Sequence, residues 1–169
     1  MKIYVASSWR NNIQPDVVRA LRNAGHDVYD FKNPAPMNHG FQWSEIDPKW
    51  QHWTAEQFRE QLSHPTAESG FGYDMAALEG SEACVLVLPC GRSAHLEAGY
   101  SIGAGKPTVI LLENGEPELM YKMTPYICLS IAEVVETLKE IAQREEAQHG
   151  NPGRQTSIMP NRSRNLGDL

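Results

Sequence analysis

Long apolar runs and an excess of positive charge are both missing from this sequence. No stretch approaches the roughly 20 apolar residues that a membrane-spanning helix needs. Lysines and arginines number 15 against 21 aspartates and glutamates, which leaves a net charge of −6. Because non-specific binding to a nucleic-acid backbone requires a basic face, the composition argues against a nucleic-acid polymer as partner. A membrane partner is not expected either.

Cysteine is also scarce. The three cysteines, Cys84, Cys90 and Cys128, are odd in number, and their spacing is typical neither of disulfides nor of zinc sites. Cys84 and Cys128 lie in apolar runs, which favours buried hydrophobes. His39 and His95 stand without metal-ligand spacing, and a lone histidine is more often structural or solvated. We therefore expect no metal, no cofactor and a cytoplasmic location.

What the sequence does contain is an alternation of strand and helix patterns. The run from Ala83 to Pro89 is continuously apolar, as expected of a central parallel strand buried on both faces. Strands are predicted at Lys2 to Ser7, His26 to Phe31, Ala83 to Pro89, Pro107 to Leu112 and Tyr126 to Leu129. Helices are predicted from about Ile13 to Gly25, from Ser93 to Gly105 and from Ile131 onward. The fold class is α/β, a three-layer sandwich with a five-stranded parallel sheet of flavodoxin-like or Rossmann-like winding.

The chain divides into one domain over residues 1–143 and a polar tail over 144–169, for which we expect flexibility. An insertion over residues 33–71 interrupts the strand–helix alternation and is rich in aromatic side chains. A helix is predicted from Trp50 to Leu62, and the spacing of Trp50 and Trp53 fits one face of it. Insertions of this length are usually functional or contain extra helices.

The segment after the central strand is the most informative for function, because ligands of open α/β sheets bind at the carboxyl ends of the strands. Gly91 permits a tight turn, Ser93 is a suitable N-cap, and Glu97 follows about one turn into the helix. Free backbone N–H groups at that helix start could hold an anion. On the residues alone, Glu97 is either catalytic or merely a complement to the helix dipole.

Three pieces of the sequence resemble the nucleoside 2-deoxyribosyltransferase superfamily, which includes the deoxynucleoside 5'-monophosphate N-glycosidases. They are the opening from Ile3 to Trp9, the segment from Gly72 to Leu78 around Asp74, and Glu97-Ala98-Gly99-Tyr100 followed by Gly105-Lys106-Pro107. The last piece is the most specific. The resemblance covers roughly residues 1–130.

The resemblance implies a catalytic set of Glu97, Asp74 and Tyr4. Glu97 would be the nucleophile that forms a glycosyl-enzyme ester, Asp74 would orient the sugar or protonate the departing base, and Tyr4 would hydrogen-bond Glu97. Two simpler interpretations stay open. Asp74 could be the N-cap of its helix, and Tyr4 could be a core residue of the first strand.

The sequence departs from the family pattern at Gly91. Deoxyribosyltransferases usually carry an aspartate there, six residues before the nucleophile, and the monophosphate hydrolases tend to have serine. Here Gly91 is followed by Arg92 and Ser93, and a cation, a hydroxyl and a helix N-terminus suit a 5'-phosphate better than a bare hydroxyl. Arg92 could equally be a solvated surface charge.

The remaining substrate-binding candidates are Ser7 and Ser8, which follow the first strand, and three aromatic residues. Trp9, Phe41 and Trp43 could stack on a nucleobase, a contact worth roughly 1–3 kcal/mol where it occurs. The alternative is that the tryptophans form a small hydrophobic cluster beneath the insertion.

The expected partner is a small nucleoside or nucleotide, together with further copies of the chain in a homodimer or higher homo-oligomer. The family's sites borrow residues from a neighbouring subunit, and Leu119 to Met123 lie near the expected interface. Three other functions fit the same fold. They are a nucleotide-sensing domain without turnover, an NAD glycohydrolase that uses a similar glutamate, and a plain flavodoxin-like binding module.

Overall fold

Five parallel strands form one sheet in the order β2-β1-β3-β4-β5 in a computed structural model of the chain, which describes residues 1–113, 116 and 118–149. The strands are β1 (Lys2–Ala6), β2 (Asp27–Asp30), β3 (Ala83–Val87), β4 (Thr108–Leu111) and β5 (Tyr126–Cys128). This strand order is the flavodoxin-like one. The predicted α/β sandwich with a five-stranded parallel sheet is therefore confirmed.

Helices cover both faces of the sheet. They are α1 (Gln14–Asn23), α2 (Ala55–Gln61), α3 (Pro65–Gly80), α4 (Arg92–Gly103) and α5 (Ile131–His149). One core cluster joins the sheet to α1 and α5, and a second joins the opposite face to α3 and α4. The two clusters make the three layers that the alternation of strands and helices predicts.

Side-chain alternation along β1 decides which residues reach each layer. Ile3 and Val5 point into the α1–α5 core, whereas Tyr4 and Ala6 point into the α3–α4 core. In a strand, successive side chains point to opposite faces, so the assignment follows directly from residue parity. Tyr4 is thereby placed on the same side of the sheet as α3 and α4.

The insertion forms short helical pieces, and the prediction of one helix from Trp50 to Leu62 is wrong. A single 3₁₀ turn covers Trp50–His52, Trp53 is extended, and α2 begins only after Thr54. The reason is a capping box: Thr54 Oγ1 accepts from Gln57 N at 3.2 Å, and Gln57 Oε1 accepts from Thr54 N at 2.8 Å. This reciprocal pair satisfies backbone donors and starts a new helix at that point.

The last helix continues through residues 144–149, which were assigned to the polar tail, and residues 150–169 lie outside the described part. The boundary at 143 and the flexible tail stay predictions. Within the described part, no helix has the length and apolar character required to cross a bilayer.

Candidate functional site

The candidate site is a cleft of about 560 Å³ at the carboxyl ends of β1 and β3. The strand order reverses between these two strands, which is where open α/β sheets bind ligands. All predicted site residues except Tyr4 line this cleft: Ser7, Ser8, Trp9, Phe41, Trp43, Asp74, Gly91, Arg92, Ser93 and Glu97. Four separate stretches of sequence therefore meet here.

Glu97 lies in the second turn of α4, with its side chain half-buried in the cleft. Burial raises the pKa of its carboxyl to about 7, the charge of Asp74 contributes to the rise, and the Tyr4 hydroxyl opposes it. A carboxyl that titrates near neutral pH in a cleft is characteristic of functional sites.

The start of α4 corrects the prediction that Ser93 is its N-cap. Gly91 is the N-cap, and it has no side chain with which to accept a hydrogen bond from the first turn. The N-cap lies two residues earlier than the sequence suggested because Gly91 takes up the extended conformation before Arg92. Ser93 consequently lies inside the first turn and lines the cleft.

Asp74 lies in the middle of α3, so the interpretation of this residue as a helix N-cap is wrong. Its Oδ1 accepts a hydrogen bond from the hydroxyl of Tyr29 at 2.8 Å. Burial raises the pKa of the Asp74 carboxyl, and the hydrogen bond from Tyr29 opposes that rise. Asp74 is therefore a half-buried carboxyl of the cleft that accepts a hydrogen bond from Tyr29, and it stays a candidate functional residue.

Tyr4 is both a core residue and a neighbour of the two carboxyls. Its ring is completely buried, and its hydroxyl has no partner of normal hydrogen-bond geometry among the described residues. The hydroxyl is nevertheless near enough to Glu97 to lower the pKa of that carboxyl. Burial and the charges of Glu97 and Asp74 raise the pKa of Tyr4, which keeps it a neutral donor.

The loop after β1 is anchored to the end of β3. The Ser7 hydroxyl donates to the Val87 carbonyl at 2.9 Å, and Asn11 Nδ2 donates to the carbonyls of Val87 and Pro89 at 3.3 and 3.0 Å. Asn11 is buried, so these bonds are protected from water. They fix both ends of the segment that presents Ser8 and Trp9 to the cleft.

Aromatic residues of the insertion form one wall of the site. Trp43 contacts Phe41, Trp53 and Phe58 edge-on, with ring centroids 4.8, 5.6 and 5.4 Å apart. A hydrophobic cluster around Trp43 and Trp53 therefore exists, and two of its members, Phe41 and Trp43, also line the cleft, so the two interpretations are compatible. Trp50 lines the cleft as well, whereas Trp53 donates from Nε1 to Asp47 Oδ2 at 2.7 Å.

The sequence analysis missed two residues of functional interest: Arg10, which lines the cleft, and Tyr29, which does not line it but donates a hydrogen bond to Asp74. Arg10 joins Arg92 as a second cation of the cleft, and its position directly after Trp9 was the available signal. Tyr29 was missed because its partner Asp74 is 45 positions away in the sequence. The only hint was its place in β2, opposite Tyr4 in the parallel register.

A second hollow of about 640 Å³ shares Glu97, Asp74 and Phe41 with the cleft and continues along α3 and α4. We call it the apolar groove. Exposed apolar side chains line it: Leu62, Phe71, Leu96 and Tyr100. Leu96 is 76% exposed, so a large apolar surface adjoins the two carboxyls.

His95 serves as a structural link at the start of α4. Its Nδ1 is 2.9 Å from the Gly91 carbonyl, and its Nε2 is 3.1 Å from the Tyr121 hydroxyl. Burial and the charge of Glu97 raise the pKa of Cys90 to about 11, so this neighbouring thiol is neutral at neutral pH. His39 is exposed. Over the described ranges, no three His, Cys, Asp or Glu side chains are grouped so that they could hold a metal ion.

The fold is similar to that of a solved 2-deoxyribosyltransferase from the psychrotolerant bacterium Bacillus psychrosaccharolyticus. The superposition has a TM-score of 0.54 at 18% sequence identity, and it covers 80% of this chain and 90% of the other. No family model and no curated protein sequence matches the chain. At this identity the similarity establishes a common fold.

Proposed function

We propose that this chain is an enzyme, similar to nucleoside 2-deoxyribosyltransferases, that cleaves or transfers the N-glycosidic bond of a nucleoside or nucleoside 5'-monophosphate. One observation carries the proposal: two half-buried carboxyls, Glu97 and Asp74, line a single cleft at the switch point of the sheet. Paired carboxyls are the usual machinery for breaking glycosidic bonds. The shared fold with a 2-deoxyribosyltransferase supports the same conclusion.

In the proposed first step, the Glu97 carboxylate attacks the anomeric carbon of the sugar. The carbon–nitrogen bond breaks, its electron pair goes to the nucleobase nitrogen, and a proton from Asp74 neutralises the departing base. The product is a glycosyl ester on Glu97. The negative charge of the carboxylate also stabilises the oxocarbenium character of the transition state.

The second step returns the enzyme to its starting state. Water, or the nitrogen of a second base, attacks the anomeric carbon and gives its proton to the Asp74 carboxylate, while the ester oxygen of Glu97 leaves with its electron pair. Water yields the free sugar, and a base yields a new nucleoside. The aromatic side chains Trp9, Phe41 and Trp43 supply flat surfaces on which either base can stack.

Two cations support a nucleotide substrate. Arg10 and Arg92 both line the cleft, beside the hydroxyls of Ser7, Ser8 and Ser93. A 5'-phosphate would gain charge-assisted hydrogen bonds from the two guanidinium groups and from the hydroxyls of Ser8 and Ser93, which a 5'-hydroxyl could not match.

We also infer that the chain forms a homodimer or higher oligomer, as the exposed apolar groove favours. Its exposed apolar side chains, Leu62, Phe71, Leu96 and Tyr100, form a surface that a second copy of the chain could cover. Light scattering at micromolar concentration tests this part by itself, and a monomeric mass would refute it.

The test of the function is base release from nucleosides, 5'-monophosphates and NAD, measured by liquid chromatography with and without a second free base. We expect wild-type turnover, and a loss on the order of 10³-fold or more in Glu97→Gln, because the amide cannot act as the nucleophile. Glu79→Gln, an exposed site at the end of α3, is the matched control. Turnover that survives Glu97→Gln, or is absent from wild type, refutes the proposal, and nicotinamide release indicates the dinucleotide glycohydrolase.

A further inference from the structure

Two tyrosines on neighbouring strands stack beneath the site. Tyr4 and Tyr29 are paired in the parallel register of β1 and β2, and their rings lie 5.3 Å apart at an angle of 18°. Their hydroxyls lie beside different carboxyl groups. Tyr29 donates to Asp74 at 2.8 Å, whereas Tyr4 adjoins Glu97 without a hydrogen bond of normal geometry.

The two carboxyls are electrostatically coupled. Burial raises the pKa of each, and the charge of Asp74 raises that of Glu97 further. Two such groups lose their protons in steps that belong to the pair, with one proton between them over an intermediate pH range. Which carboxyl holds that proton depends on which anion is better stabilised by hydrogen bonds.

We propose that Tyr29 is a positioning residue that keeps Asp74 ionised in the ligand-free protein, and so leaves the shared proton on Glu97. The well-formed hydrogen bond to Asp74 and the incomplete one at Glu97 both act in this direction. This inference rests on the proposed function. The first step of that reaction requires an ionised Glu97 and a proton on Asp74, which is the opposite arrangement. Substrate must therefore displace the proton from Glu97 towards Asp74 before the attack.

Other titratable or charged groups also lie around the pair. On the Glu97 side they are Tyr4 of β1, Arg10, Cys84 of β3, Cys90, Arg92 of α4 and, along the apolar groove, Glu68 and Tyr100. On the Asp74 side they are Tyr29 of β2, Glu45 and Tyr73. Tyr29 is distinguished among them by its direct hydrogen bond to one member of the pair.

The direct test is a carbon-13 NMR titration of the Glu97 and Asp74 carboxyls in the ligand-free protein. In Tyr29→Phe, which retains the stacked ring, Asp74 loses its donor and its pKa rises. A more neutral Asp74 repels Glu97 less, so we expect the Glu97 pKa to fall by on the order of one pH unit. Tyr4→Phe, the matched variant in the same stack, should raise the Glu97 pKa instead.

A double substitution tests whether Tyr29 changes the pKa of Glu97 through Asp74. In an Asp74→Asn background, Tyr29→Phe should leave the Glu97 titration unchanged, because the hydrogen-bonded carboxylate is gone. A merely structural role for Tyr29 would not produce opposite shifts in the two tyrosine variants. Near-ultraviolet circular dichroism confirms that each variant is folded. If Tyr29→Phe does not fold, the wild-type titration is the second test, because the proposal requires Asp74 to lose its proton at a lower pH than Glu97.

The same shift appears in turnover if the proposed function holds. The acid limb of the kcat/KM profile reports ionisation of the free enzyme's essential base, so it should move to lower pH in Tyr29→Phe and to higher pH in Tyr4→Phe. An unchanged Glu97 titration in folded Tyr29→Phe overturns the role of Tyr29, even if the enzyme is active. The expected titration without any base release supports that role and overturns the proposed function alone.

Discussion

The ring of Phe41 packs directly on the backbone of Gly70 in α3, so closely that a Cβ on Gly70 would lie 2.6 Å from the Phe41 Cβ. The contact joins the insertion to the helix that carries Asp74. Phe41 also lines both the cleft and the apolar groove. A glycine of α3 therefore determines where an aromatic wall of the site stands.

We expect Gly70→Ala to impair substrate binding strongly and to change the free energy of unfolding only slightly. The added methyl must push Phe41 away, and misplacement of a substrate-contacting group by about 1 Å can cost 10- to 100-fold in kcat/KM. Gly72→Ala is the matched control, since nothing lies within 4 Å of its Cβ position in the same helix. That substitution should leave turnover unchanged and stabilise α3 by about 0.5–1 kcal/mol. Equal kinetics in the two variants would disprove the role of the Phe41–Gly70 contact.

Arg10→Ala and Arg92→Ala should discriminate between substrates. If the two cations bind a 5'-phosphate, each loss weakens a charge-assisted hydrogen bond, and kcat/KM for monophosphates falls roughly 10- to 100-fold. Nucleosides with a free 5'-hydroxyl should be affected far less. Arg144→Ala, an exposed cation of α5, controls for charge alone. Equal losses on nucleosides and monophosphates would contradict a phosphate site.

Glu97→Gln should change the pH dependence of stability. The folded-state pKa of Glu97 is about 7, above its ordinary value of 4.5, so the group's stabilising contribution is complete below 4.5 and lost as pH rises through 7. The neutral amide avoids that loss. The variant should therefore exceed wild type in the free energy of unfolding at pH 8 by about 1–3 kcal/mol, since each pKa unit corresponds to about 1.4 kcal/mol.

Urea unfolding at pH 4.5 and pH 8 measures this difference. The gap between Glu97→Gln and wild type should nearly close at pH 4.5, where the folded-state Glu97 is neutral and the unfolded-state glutamate is only half ionised. Glu79→Gln, on the surface, should show no such gap at either pH. A constant difference across the pH range would mean that the ionisation of Glu97 does not affect folding.

The main strands and helices and the layering were predictable because their signals are local. The buried run at β3 and the helical spacing from Ile131 onward each specify an element, and parallel pairing follows from their alternation. The resemblance to the family motifs identified Asp74 and Glu97 as site candidates, and both line the cleft. Their catalytic roles stay predictions.

Errors arose where a competing local interaction was decisive. The Thr54 capping box divides the predicted helix from Trp50 to Leu62, and the extended Gly91 moves the start of α4 ahead of Ser93. Such ends depend on which of several nearby side chains satisfies the free backbone groups. Composition and periodicity do not distinguish those choices.

By itself, the sequence determined the α/β class and the approximate strand positions, since hydrophobic periodicity is a local property. Only the tertiary structure decided that Tyr29 donates to Asp74, that Arg10 joins Arg92, and that Phe41 rests on Gly70. The physical reason is distance along the chain. Those contacts depend on packing between elements that are far apart in sequence. That packing is determined only when the whole core has folded.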